Sequence, residues 1–88
     1  MTAAFRASFL RDVRKLRDAG LLARVQAATE AVEAADDLRG VPDLKKLSGA
    51  SGFYRIRVGD YRIGVAAEGE TAEFVRVLHR RDIYRAFP

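Results

Sequence analysis

Two stretches of alternating side chains, Phe53–Val58 and residues 61–65, meet at the dipeptide Gly59-Asp60. A two-residue link led by glycine closes a tight antiparallel hairpin and fixes which residues stand opposite one another. The expected pairs are Val58 with Tyr61, Arg57 with Arg62, Ile56 with Ile63, Arg55 with Gly64 and Tyr54 with Val65. Side chains alternate across a strand, so the apolar pairs share one face and can pack against another layer. Arg55, Arg57 and Arg62 share the opposite face with Phe53 and Gly64.

The residues before this hairpin have a different period. Phe9, Val13 and Leu16 recur at helical spacing, with Ser8 as the expected N-cap and Gly20 as the expected stop. A second amphipathic helix is expected over 21–36, with Leu22, Val25, Ala28 or Thr29, Val32 and Ala35 on one face. A short link should make the two helices a hairpin. Residues 37–52, with Gly40, Pro42, Gly49 and Gly52, read as a connector anchored by Leu44 and Leu47. A turn around Glu68-Gly69-Glu70 leads to a third strand over 74–78, then a tail with one helical turn near Ile83. Residues 1–6 could supply a short first strand. The expectation is one α+β domain over 1–88: a helical hairpin on one face of a small antiparallel sheet, the other face open.

A chain of 88 residues buries only roughly 60–65% of its unfolded surface, enough for one core. It has no cysteine, which excludes disulfides and thiolate chemistry and fits a cytoplasmic location. No apolar run nears the ~20 residues that cross a bilayer, and no signal-peptide stretch opens the chain, so no membrane partner is expected. One histidine and no cysteine offer no metal constellation, and neither a phosphate-binding glycine loop nor a serine-hydrolase motif occurs. No cofactor is expected.

The formal charge is +4, and thirteen of the sixteen basic residues are arginine, whose planar fork matches phosphate. Arg57 directly across from Arg62 is a like-charge pair, unfavourable by about a few tenths of a kcal/mol. A glycine inside a strand often marks close approach by a ligand or another backbone. Together these residues describe a shallow basic floor able to receive an anion. The plain alternative is a solvated face whose arginine stems merely cover the sheet. The tail adds His79, Arg80, Arg81, Asp82, Tyr84 and Arg85. His79 reads either as a proton-transfer group or as a packed histidine at a strand end. Tyr84 reads as a stacking platform or a core edge, and Asp82 as the partner of a neighbouring arginine.

The segments 46–49, 52–63 and 77–85 resemble toxins of the RelE/ParE superfamily of bacterial type II toxin–antitoxin pairs. The likeness covers the C-terminal half, and two helices before it suit the family's order. The RelE-like branch implies a ribosome-dependent, metal-independent mRNA endoribonuclease that inhibits translation by cutting mRNA in the ribosomal A site. By resemblance Arg55, Arg57, Arg62, His79, Arg80 and Tyr84 are the catalytic candidates. Arg55, Arg57, Arg62, Arg76, Arg81 and Arg85 are the expected RNA contacts. The implied reaction is attack of a ribose 2′-OH on its own phosphate, leaving a 2′,3′-cyclic phosphate and a 5′-OH. Where that branch has lysine as a proton acceptor, this chain has arginine, which almost never deprotonates. The role of acid or base then falls to His79, or to ribosomal groups and water, or catalysis is mostly positional and electrostatic. The resemblance also implies a cognate antitoxin, which alone would contact operator DNA. Two alternatives remain at this level: a ParE-like toxin that poisons DNA gyrase, and an inactive toxin kept as an antitoxin-binding protein.

Overall fold

A computed structural model describes residues 1–49 and 51–88. The order of elements is β1 (Thr2–Phe5), α1 (Ala7–Lys15), α2 (Ala19–Ala34), a 3-10 turn at Leu38–Gly40, β2 (Leu44–Lys46), β3 (Phe53–Val58), β4 (Tyr61–Glu68), β5 (Thr71–His79) and α3 (Arg80–Ala86). The five strands form one sheet ordered β1-β5-β4-β3-β2. The α+β expectation holds, with one correction: the sheet is mixed. β1 runs parallel to β5, and all other neighbours are antiparallel.

The β3–β4 register is the expected one at all five pairs. Gly59 has φ +59 and Gly69, in the β4–β5 turn, has the same value, so a glycine supplies the left-handed residue that each tight turn needs. Ile56, Val58, Ile63 and Val65 therefore point to one face, where they bury with Phe74 and Val77 against Phe9, Val25 and Val32 of the two helices. Fully burying a Val, Ile or Phe side chain contributes about 1.5–3 kcal/mol. Phe5, Phe9 and Phe74 form an aromatic cluster with centroids 5.2–5.8 Å apart, tying β1 and α1 to β5.

The helices are bounded differently from expectation. Ser8 does not cap α1. The N-cap is Arg6, without a side-chain bond, and Ser8 Oγ instead donates to the Val75 carbonyl at 2.6 Å. Gly20 does not end α1 but lies in the first turn of α2, which is capped by Asp18 accepting from the Leu21 N–H at 3.0 Å. An Asp side chain at an N-cap outranks the backbone freedom of a glycine one turn away. Each helix finds its main contacts on the sheet, α1 along β5 and α2 across β1 and β3.

The placement of α1 solves an edge problem. β1 stops pairing at Phe5 and Phe74, leaving the far half of β5 without a strand on that side. Ser8 takes the Val75 carbonyl there, and the Asp12 carboxylate accepts the Val77 N–H at 3.0 Å. Helical side chains thus replace the missing strand.

Two further corrections concern the second half. The 37–52 connector contains a strand: Leu44, Lys45 and Lys46 pair with Ile56, Arg55 and Tyr54. Before it, Asp37 caps the 3-10 turn and pairs with the Arg39 guanidinium at 2.9 Å, which holds the Asp37 carboxyl below its usual range. The tail is longer than one turn. α3 folds back across the face expected to be open, and its Ile83 and the following Phe87 are buried there. Phe87 meets Phe53 edge-on at 5.7 Å. A Cβ on Gly64 would fall 2.6 Å from the Phe87 ring. The close approach signalled by Gly64 is therefore made by the chain's own C-terminus.

Candidate functional site

Beyond the footprint of α3, the same sheet face keeps a cleft of about 390 Å³ lined by Asp43, Leu44, Lys45, Arg55, Arg57, Arg62 and Tyr84. Strand alternation explains the convergence. Arg55 and Arg57 are two apart on β3, Arg62 stands opposite Arg57 on β4, and Lys45 stands opposite Arg55 on β2. Four cations thus share one surface, and Tyr84 reaches it from α3 with 71% of its surface exposed. Larger depressions of about 790 and 590 Å³ lie elsewhere, with linings of mixed charge that include Arg6 with Glu73 and Arg39 with Asp37. Those opposite charges are already paired. On charge, the smaller cleft is the candidate for receiving an anion.

Each guanidinium is held by local contacts. Arg62 donates to the carbonyls of Gly59 at 2.8 Å and Tyr61 at 2.9 Å. Arg57 faces the Asp43 carboxylate at 3.6 Å, with both side chains more than half exposed, a pair worth about 0–1 kcal/mol. Arg55 lies 4.5 Å from the Tyr84 ring centroid, a cation–π contact, and donates a long 3.4 Å bond to the Phe87 carbonyl. Its Nε is buried with no hydrogen-bond partner among the described residues. The exposed tyrosine face is thus braced from beneath by an arginine.

Of the residues singled out from sequence, Arg55, Arg57, Arg62 and Tyr84 come together. The others do not line the cleft. Arg76 turns around the sheet edge to Asp12, with bonds of 2.7 and 3.1 Å. Asp12 is only 4% exposed, and its hydrogen bond raises the Arg76 guanidinium above its ordinary value. Arg76 is therefore a structural residue, expected as an RNA contact because the edge role of α1 was invisible. Arg80 is exposed at the start of α3, where its N–H donates to the Asp60 carbonyl at 2.7 Å. Arg81 is exposed, and Arg85 pairs with Asp82 at 2.9 Å.

His79 stands opposite Tyr61 in the register and meets its ring edge-on at 5.5 Å. Tyr61 alternates with Arg62, so that pair belongs to the helix-side face and not to the arginine face. The ring's Nδ1 accepts the Arg81 N–H at 3.1 Å and caps α3. With Nδ1 engaged, the neutral imidazole carries its proton on Nε2 and has no free lone pair for a substrate proton.

Sequence reasoning missed Lys45 and Asp43. Lys45 could have been found only by recognising a three-residue strand. Asp43 precedes that strand with φ +60, the only non-glycine residue in the left-handed region among those described.

A family model described as the ParE toxin of the type II toxin–antitoxin system parDE matches residues 3–84. The chain is 37% identical to Toxin RelE3 of Methanocaldococcus jannaschii over 89 residues, covering all of both chains. It superimposes on the toxin in a RelB–RelE antitoxin–toxin complex from Methanococcus jannaschii with a TM-score of 0.82 and 36% identity, covering 97% of this chain and 99% of that one. The RelBE2 toxin–antitoxin complex of Mycobacterium tuberculosis matches with a TM-score of 0.71 and 29% identity, over 90% of this chain and 96% of the other. The fold, the helix order and these matches agree: the chain belongs to the RelE/ParE superfamily of type II toxin–antitoxin toxins.

Proposed function

We propose that the protein is a ribosome-dependent, metal-independent endoribonuclease that cuts mRNA in the A site and so inhibits translation in the cytoplasm. The observation that carries this reading is the convergence of Lys45, Arg55, Arg57 and Arg62 beside an exposed Tyr84. Guanidinium donors aimed at one phosphodiester stabilise the charge that builds on its oxygens during in-line attack, and preorganised donors of this kind dominate many rate enhancements. Arg57 and Arg62 would clamp the reacting phosphate. Tyr84, backed by Arg55, would stack on a splayed base. Arg80, Arg81 and Arg85, exposed on or beside α3, would meet flanking phosphates. His79 would act by holding α3, and with it Tyr84, in place. Primer extension on an mRNA undergoing translation tests the reading: new 5′ ends should appear with the wild type and not with an Arg57→Ala/Arg62→Ala variant.

A partner follows from the relatives, which were solved as complexes with RelB antitoxins. A cognate antitoxin would cover the helices and the basic face, and operator DNA would be reached only through it. The ParE description of the matching family model favours one second reading, a toxin that poisons DNA gyrase. Induction of DNA damage without mRNA cleavage would select it. An inactive, antitoxin-binding protein would do neither.

A further inference from the structure

Attack by a 2′-OH requires something to take its proton, and the cleft's side chains divide sharply on this point. Arginine and an ammonium are donors only, and a phenol carries its own proton. The one imidazole has its acceptor nitrogen on the Arg81 N–H and lies on the helix-side face. Asp43 alone among the lining residues is acceptor-only.

Phosphate binding does not account for a carboxylate there, and the local backbone would be served as well by glycine or asparagine. A negative charge among four cations repels a phosphodiester, and the exposed 3.6 Å pair with Arg57 is weak. The backbone at Asp43 is in the left-handed region, where a side chain other than that of Asn or Asp is costly and glycine is at home. The position is nonetheless held firmly. The Arg57 N–H donates to the Asp43 carbonyl at 3.1 Å, so the residue that faces the carboxylate also clamps its backbone. Among the described residues the Asp43 side chain makes no hydrogen bond, which leaves its oxygens available.

We infer that Asp43 is the general base of the cleft, which rests on the RNA-cleavage reading. Its carboxylate takes the proton from the 2′-oxygen as the O2′–P bond forms and the P–O5′ bond breaks. The departing 5′-oxygen takes a proton from solvent water, and Asp43 returns its own to solvent. The products are a 2′,3′-cyclic phosphate and a 5′-OH, with no change of oxidation state. Arg57 has two roles here, orienting the base and receiving the phosphate.

The test compares single-turnover cleavage of translated mRNA by the wild type, Asp43→Asn, Asp43→Gly and Asp43→Glu. Binding to ribosomes carrying an uncleavable 2′-deoxy codon is measured in parallel. Asn and Gly both tolerate the backbone at this position, so neither disturbs the turn. Both should cleave 10²–10⁴-fold more slowly. Both should bind the 2′-deoxy complex as tightly as the wild type or more tightly. Asp43→Glu should recover part of the rate. Cleavage by Asp43→Asn within a few-fold of wild type overturns the inference and leaves the nuclease reading standing. Loss of rate and binding together also overturns it, because that marks a structural residue. A wild type that cuts no mRNA overturns both.

Discussion

At the scale of single residues, several side chains that look functional serve the fold, and the reverse. Gly64 sits opposite Arg55, and the need for a glycine there was legible, but what approaches it was not. No local pattern announces that Phe87, twenty-three positions later, will lie on it. Gly64→Ala should cost about 1–3 kcal/mol by overpacking. Phe87→Ala should cost about 3–5 kcal/mol. Because both act on one contact, urea unfolding of the double variant should show less than the sum of the two. Additivity would mean that the ring does not rest on the glycine. Asp12 is the converse case, since its place on an amphipathic helix gave no hint of burial. Asp12→Ala leaves the Val77 N–H and the Arg76 guanidinium without their shared acceptor. Unfolding should show a loss of about 3–5 kcal/mol. A loss below 1 kcal/mol would show that water replaces the carboxylate. Since its partner raises the Arg76 guanidinium further, arginine's side of this bridge stays protonated throughout the neutral range, and its contribution would be lost only in strong alkali.

Among the elements, those with a long, clean period were the legible ones. Alternation over Phe53–Val58 and the glycine-led turn defined the β3–β4 register pair by pair. β2 escaped because three residues cannot display a period, and with it went Lys45 and Asp43. α3 was foreseen as a single turn near Ile83. Its seven residues became visible only with the second small core that Ile83 and Phe87 make on the arginine face. This element decides how much of that face stays open, and His79 holds its N-terminus. His79→Asn keeps an acceptor suited to an N-cap and should retain cleavage within a few-fold. His79→Ala should lose about 1 kcal/mol of stability. A hundredfold loss of cleavage in the Asn variant, with stability intact, would restore a chemical role for the imidazole.

For the whole molecule, the sheet separates two tasks. One face joins the helices in a continuous apolar core, and the other is divided between α3 and a cleft carrying four cations. A groove of about 330 Å³ between α1 and α2, bordered by Phe5 and Leu10 at 44% exposure each, leaves apolar surface on the far side as well. The RelE/ParE fold was readable from motif and order, whereas the choice between RNA and gyrase as target depends on chemistry in the cleft. That choice is tested most directly by mapping mRNA 5′ ends on translating ribosomes with the purified toxin, wild type against Arg57→Ala/Arg62→Ala. The account predicts discrete cuts with 5′-OH ends for the wild type and a rate at least about 10²-fold lower for the double variant. Intact mRNA with the wild type, or equal cutting by both proteins, would contradict it.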